Sequence, residues 1–235
     1  MKVEKANRGL ALVVGSAGAI GSAIVCKLKA SRQYKEVVGL GRSSHYRVDL
    51  VSEDTIREAA QTVTRTGYSV DLLIIASGIL HSEKIQPEKS WSRVEPDTLE
   101  KLFQINAIGP MLVMKHFAPL LSKNKKTVIA CLSARVGSIE ENELGGWYGY
   151  RASKAALNQF IKTTSIELTR RKPGAICVAL HPGTVSSKLS EPFSKTGLNV
   201  KSAENCAELL IKVIDQLTPE DTGGFFDYQK REIAW

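Results

Sequence analysis

Short runs of aliphatic and β-branched residues alternate along the chain with longer amphipathic stretches. The short runs predict strands at Leu10–Val14, Glu36–Leu40, Asp71–Ala76, Thr127–Leu132 and Ala175–Leu180, with a late short one at Gly224–Asp227. Helical periodicity occupies Ile20–Ser31, Glu53–Thr66, Pro96–Leu121, Tyr150–Arg171 and Ala203–Leu217. Pro119 marks the end region of the third of these. Strand and helix in regular alternation predict the α/β class, a doubly wound parallel sheet. No repeat, low-complexity tract or linker interrupts it, so residues 1–235 are expected to form one domain. One stretch breaks the rhythm. A parallel neighbour needs a crossover of about a dozen residues, and the chain from Leu40 to Val48 has no room for one. The segment Arg47–Leu50 is therefore either a very short strand or an extended loop. That shortened second-to-third connection makes the first half of the sheet small.

Composition adds compartment and partner. With 235 residues, 43% hydrophobic and 24% charged, the chain has the make-up of an ordinary globular protein with a sizeable core. No apolar run reaches transmembrane length, so no membrane partner is expected. The polar start and the short run at Leu10–Val14 do not form a signal peptide. Four scattered cysteines without a Cys-x-x-Cys pair read as buried thiols in a reducing cytoplasm, with neither disulfide nor metal. The net charge of +8 suits an anionic cofactor. Nucleic acid is the sharper reading of that charge. The clusters at Lys123–Lys126 and Arg170–Lys172 instead fall where helices end and complement the macrodipole, so no nucleic-acid partner is expected.

Two motifs carry chemistry. Tyr150 and Lys154 are four residues apart and share one helix face. A phenol with a pKa of about 10 is a poor acid or base at neutral pH, and a neighbouring ammonium is expected to pull it down. Such a pair moves a proton to or from a carbonyl or alcohol oxygen. Upstream, Gly15-Ser16-Ala17-Gly18-Ala19-Ile20-Gly21 joins the first strand to the first helix. Glycines there allow close approach of a phosphate, and the helix N-terminus presents N–H groups to it. After the second strand stands Gly41-Arg42-Ser43-Ser44, where an acidic residue would select NAD(H). The guanidinium of Arg42 and the hydroxyls of Ser43 and Ser44 favour a 2′-phosphate, hence NADP(H) with NAD(H) as the alternative.

These motifs, in this order over nearly the whole chain, resemble the short-chain dehydrogenase/reductase family and its Rossmann fold. The family's Thr-Gly-x-x-x-Gly-x-Gly turn has Val14 and Ala19 at two of its positions here. The resemblance implies that Asp49 and Leu50 meet the adenine and that Ala76-Ser77-Gly78 lies against the cofactor. It also implies that Asn106 bonds backbone and holds a proton-relay water. Pro182-Gly183-Thr184-Val185 is implied to pack on the nicotinamide. The family's second serine of Ser-Ser-x-x-Gly is Ala134 here. Ser133 is the first candidate for the catalytic serine, and Ser138 the second. Tyr148 lacks a lysine four residues on and is a decoy. Ser-Ala-Arg-Val-Gly-Ser-Ile, Gly-Gly-Trp-Tyr and Gly-Gly-Phe-Phe-Asp narrow the likeness to the C-factor (C-signal) and sniffer-type carbonyl reductase subgroup.

The resemblance implies hydride transfer between NADPH and a small carbonyl or alcohol substrate. Tyr150 is the general acid/base, with Ser133, Lys154 and Asn106 in support. It implies a substrate lid about 185–200, with Leu189, Pro192, Phe193 and Leu198 apolar, and a homodimer or homotetramer through helices starting near residues 97 and 150. His81, Trp91 and Trp147 are candidates to line the pocket, although packing or an oligomer contact is favoured for both tryptophans. Phe225, Phe226, Ile233 and Trp235 either join an oligomer interface, form an exposed patch or fold back on the sheet. The alternative is a C-factor-like signalling protein that binds the cofactor with little turnover.

Overall fold

The computed structural model describes residues 8–123, 125–186 and 200–235. Its centre is a parallel sheet of seven strands in the order β3-β2-β1-β4-β5-β6-β7. The strands are β1 (Arg8–Val14), β2 (Tyr34–Gly41), β3 (Tyr46–Arg47), β4 (Val70–Ile75), β5 (Thr127–Leu132), β6 (Ala175–His181) and β7 (Phe225–Asp227). The helices are α1 (Ala19–Ser31), α2 (Glu53–Arg65), α3 (Pro96–Phe103), α4 (Gly109–Phe117), α5 (Tyr148–Arg171) and α6 (Ala203–Gln216). The α/β expectation and nearly every predicted element are found, with ends shifted by one or two residues.

Helices cover both faces. On one side α1 and α6 pack through Ile24, Leu28, Leu210 and Ile214 against Ala11, Val13 and Ile74. On the other, α2, α4 and α5 bring Ile56, Phe117 and Ile161 onto Leu10, Leu12 and Ile129. A sheet covered twice must be apolar on both faces, which is why β4 and β5 read as unbroken buried runs.

The short third strand is real. β3 is two residues long and pairs Leu40 with Tyr46 and Gly41 with Arg47. Ser44 closes the tight connection. Its Oγ accepts from Gly41 N–H at 2.8 Å and donates to Tyr46 O at 2.7 Å.

The third predicted helix is corrected. It breaks into α3, a π turn at Gln104–Ile108, α4 and a 3₁₀ turn at Ala118–Leu120. Pro110 has no N–H to return to Asn106 O, and Gly109 N–H bonds Gln104 O instead, five residues back.

The C-terminal apolar residues fold back on the sheet. Phe225, Phe226 and Ile233 are buried, and the Trp235 ring stacks on Phe225 with centroids 5.5 Å apart. Cys131, Cys177 and Cys206 are buried as expected, while Cys26 is exposed on the outer side of α1.

Phe117 is fully buried where α4 meets the sheet. Phe117→Ala is expected to lower unfolding free energy by about 3–5 kcal/mol. Urea denaturation measures it, and a loss within experimental error would mean that α4 is not anchored there.

Candidate functional site

The site lies at the carboxyl ends of the central strands, where the loops of a doubly wound sheet gather. The glycine turn closes over the end of β1. Gly15 has φ +85°, and a Cβ on it would stand 2.6 Å from Ser77 Oγ. A Cβ on Gly21 would come within 2.2 Å of Gly15 O. Both positions therefore require glycine, and they hold the turn flat against Ala76-Ser77-Gly78. Gly18 is the N-cap of α1 and provides no side-chain cap. The first N–H groups of α1, from Ala19, Ile20 and Gly21, are thus open to an anion. Ser16 is fixed by its Oγ, which donates to Leu40 O at 3.2 Å.

Arg42 and Ser43 are exposed beside this cradle, and Arg42 makes no ion pair among the described residues. Asp49 is half-buried, its Oδ1 accepting from Val51 N–H at 3.3 Å. Leu50 packs on the π turn, where Gln104 Nε2 donates to Leu50 O at 3.3 Å.

Tyr150 and Lys154 lie on the buried face of α5, as their spacing predicts. Both are nearly inaccessible, at 8% and 3% exposed. Lys154 Nζ donates to Leu132 O, the last carbonyl of β5, at 2.9 Å. It stands 5.9 Å from the centre of the Tyr150 ring. Burial pulls the Lys154 ammonium down to about 8. Burial also pushes the Tyr150 phenol above its ordinary range, against the expectation of a lowered value. Desolvation of the phenolate is the cause, because both groups sit in apolar surroundings. The phenol oxygen has no hydrogen-bond partner among the described residues. Tyr148, the decoy, is exposed.

Asn106 is fully buried in the π turn. Its Oδ1 accepts from Ile79 N–H, and its Nδ2 donates to Ile79 O, both at 2.8 Å. It therefore grips one peptide just after Gly78, in the manner of a strand partner. Nδ2 also donates to Ser153 Oγ at 3.1 Å, which ties β4, the π turn and α5 together.

The two serines separate. Ser133 borders the main cavity, and its Oγ donates to Asn158 Oδ1 at 2.6 Å. Ser138 does not border it. Its Oγ donates to Trp235 O and accepts from Glu141 N–H. Ala134 lines the wall where the family resemblance expects a serine.

That cavity holds about 440 Å³, and Tyr150 forms part of its wall. Ile20, Pro182, Gly183, Thr184 and Val185 close one side, in agreement with their expected grouping. Leu80, Val136, Leu144 and Trp147 make the other side apolar. Trp147 is thus a wall residue, where packing or an oligomer contact was favoured from sequence. Neither His81 nor Trp91 borders the cavity. Four lid residues named from sequence (Leu189, Pro192, Phe193 and Leu198) lie outside the described residues.

Several neighbours had no sequence signal. His181 is half-buried at the end of β6, and its Nδ1 accepts from Arg135 N–H at 3.3 Å. Burial and the nearby Arg135 charge push it down to about 4, so it is neutral at physiological pH. The Arg151 guanidinium donates to the carbonyls of Gly146, Val136 and Gly145 at 3.0, 3.2 and 3.2 Å. Glu88 is buried and accepts from Gly149 N–H at the start of α5. None of these roles is local in sequence, so no motif announces them. Among the described residues, no cluster of His, Cys, Asp or Glu is placed to hold a metal, and no helix is long and apolar enough to cross a membrane.

Comparison with known proteins agrees with this geometry. A family model described as short chain dehydrogenase matches residues 9–197. The C-signal protein of Myxococcus xanthus is 37% identical over 137 residues, 58% of this chain and 78% of that protein. The NADPH-bound carbonyl reductase from chicken fatty liver superposes with a TM-score of 0.84 at 23% identity, over 97% of this chain and 94% of that one. Carbonyl reductase Sniffer of D. melanogaster gives a TM-score of 0.83 at 22% identity, over 97% of this chain and 99% of that one. The two solved structures show the shared fold.

The buried ammonium makes a prediction about stability. The unfolded chain holds the Lys154 proton up to its ordinary pKa, whereas the folded chain releases it near about 8. Between these values the unfolded state binds more protons, so this lysine disfavours the fold most at lower pH. Lys154→Met is therefore expected to raise Tm at about pH 7, and its advantage over wild type is expected to shrink towards about pH 10. Calorimetry at the two pH values tests this, and a pH-independent difference would contradict the buried charge.

Proposed function

The chain belongs to the short chain dehydrogenase family, and from that premise we propose that it is an NADP(H)-dependent carbonyl reductase. The observation that carries this reading is Tyr150 on the cavity wall, its phenol oxygen without a hydrogen-bond partner among the described residues, above a buried Lys154 and with the open N-terminus of α1 on the same cavity. A bound nicotinamide cofactor supplies the hydride. The residues present fit such a cofactor. Gly15, Ser16, Gly18, Ala19, Ile20 and Gly21 form a cradle that a Cβ would fill at two points, with unspent N–H groups for a pyrophosphate. Arg42 and Ser43 suit a ribose 2′-phosphate, and the solved relative that holds NADPH supports that choice. Asp49 and Leu50 are assigned to the adenine end, Ala76-Ser77-Gly78 and Asn106 to the middle, and Pro182 to Val185 to the carboxamide.

Tyr150 donates its proton to the substrate oxygen as negative charge builds there. A phenol kept protonated by burial suits this donor role. Ser133 is the serine of choice, because it borders the cavity and Ser138 does not. It turns its Oγ from Asn158 to hold the developing oxyanion. Lys154 would hold the cofactor ribose, and its positive charge offsets the phenolate left on Tyr150 when the proton leaves. Asn106 fixes the loop after β4 and closes the proton path. The substrate is a small carbonyl or alcohol. The reading includes a cytoplasmic homodimer or homotetramer through α3 and α5, on whose side the apolar Ile166 is exposed.

A second reading is a C-signal-like protein that binds the cofactor with little turnover. The 37% identity to that protein favours it. One assay separates the two. Wild type is given NADPH and a panel of aldehydes and ketones, and cofactor oxidation is followed by absorbance. Turnover supports the reductase; cofactor binding without turnover supports the second reading.

Two variants test the assignments. Tyr150→Phe is expected to cut kcat by on the order of 10²–10⁴-fold while NADPH still binds; wild-type turnover would remove Tyr150 from the mechanism. Arg42→Ala is expected to weaken NADPH binding by about ten- to a hundredfold and to leave NADH binding nearly unchanged. Equal losses for both cofactors would refute a phosphate contact.

A further inference from the structure

The cavity wall opposite the glycine turn is built with unusual backbone. Gly145, Gly146 and Trp147 all have positive φ, at +62°, +66° and +52°. Glycine adopts this region freely, but an indole-bearing residue does so only against steric strain. Two buttresses hold it there. Glu88 accepts Trp147 N–H on its backbone carbonyl and Gly149 N–H on its buried carboxylate. The Arg151 guanidinium spans the same turn through the carbonyls of Gly145 and Gly146 and ties it to Val136 O. The result places the Trp147 ring edge-on to Tyr150, with centroids 6.2 Å apart and planes at 73°.

The polar side chains of this wall are held within it. Arg151 is engaged by three carbonyls. Arg135 pairs with Glu141 at 3.3 Å. His181 carries no charge at neutral pH. Leu80, Val136, Leu144 and Trp147 make up the remainder of that side. Carbonyls leave the Arg151 charge in place, so this wall does not select by excluding charge; its distinctive feature is the indole among aliphatic neighbours.

We propose that Trp147 is the specificity-determining residue of the cavity and that it selects planar aryl aldehydes and ketones. The proposal rests on the carbonyl-reductase reading given above. The held indole offers a rigid aromatic surface beside the acid that meets the carbonyl oxygen. A flat aryl ring packs against that surface with its carbonyl directed to Tyr150. A saturated ring of the same carbon count is thicker and has no π face to pair with the indole.

The test compares kcat/KM for benzaldehyde and cyclohexanecarbaldehyde with NADPH, in wild type, Trp147→Leu and Trp147→Phe. Binding of benzamide, a planar uncharged mimic that is not reduced, is measured in parallel by calorimetry on the NADPH complex. The benzaldehyde-to-cyclohexanecarbaldehyde ratio is expected to fall about tenfold in Trp147→Leu, chiefly through KM, and benzamide to bind about tenfold more weakly. Trp147→Phe is expected to restore most of both. An unchanged ratio in Trp147→Leu overturns the proposal and leaves the reductase reading intact. If wild type reduces none of the aldehydes yet binds benzamide in a Trp147-dependent way, the reductase reading fails and the recognition surface stands. If it neither reduces an aldehyde nor binds benzamide, both fail.

Discussion

A single buried ammonium organises the working end of this molecule. Lys154 is inserted between α5 and the end of β5, and its only protein acceptor among the described contacts is Leu132 O. Its stem needs room, which Gly137 provides; a Cβ there would stand 2.7 Å from Lys154 Cβ. Its head needs a thin lid, which Gly78 provides; a Cβ there would stand 3.4 Å from Nζ. Two glycines far apart in sequence are thus spacers around one charge. Burying that charge disfavours the fold, and apolar packing on both faces of the sheet outweighs it. A fold with less core would not keep a lysine there.

The loops around the lysine are held from the far ends of the chain. Asn106 grips the Ile79 peptide after β4 and also reaches Ser153 in α5. That reach depends on the π turn, which in turn depends on Pro110 withholding an N–H. At the other side Trp235 O accepts hydrogen bonds from Ile139 N–H, Glu140 N–H and Ser138 Oγ. The stacking of its ring on Phe225 anchors that contact to β7. The segment after β5, which contributes Glu141 and Leu144 to the cavity, is therefore fixed by the last residues of the described chain. Ser138 has a structural duty in that contact, which explains its burial without a place in the cavity.

The framework was legible because its signals are local. Continuous apolar runs mark strands buried on both faces, and a four-residue spacing puts Tyr150 and Lys154 on one helical face whatever surrounds them. The glycine turn was legible for the same reason, and its two sterically required glycines are Gly15 and Gly21. What escaped the sequence is non-local. Helical periodicity runs through Pro96–Leu121 without showing where the bonding pattern slips by one residue. Trp147 enters the wall through two preceding glycines with positive φ and through Glu88, some sixty residues upstream. The choice between Ser133 and Ser138 turned on which one borders the cavity. Cys26 is outward because α1 presents that position to solvent, a matter of helix phase that a cysteine count does not reveal.

The protonation of Tyr150 shows most clearly how environment overrides spacing. Four residues of separation predict that an ammonium lowers the phenol pKa, and in water-exposed surroundings it would. Here both groups are desolvated, and each is driven towards its neutral form: the lysine down, the tyrosine up. The two shifts have one cause, the closed packing of α5 on the sheet. Within the proposed reaction their consequence is directional. A phenol that keeps its proton is ready to give it to an oxyanion, whereas taking a proton from an alcohol requires a phenolate that this burial opposes. Added positive charge beside the ring would narrow that difference, since Coulomb interactions are stronger where water is excluded. The packing that makes the lysine expensive is therefore the same packing that loads the tyrosine as an acid, and neither property can be altered alone by a change in the walls around them.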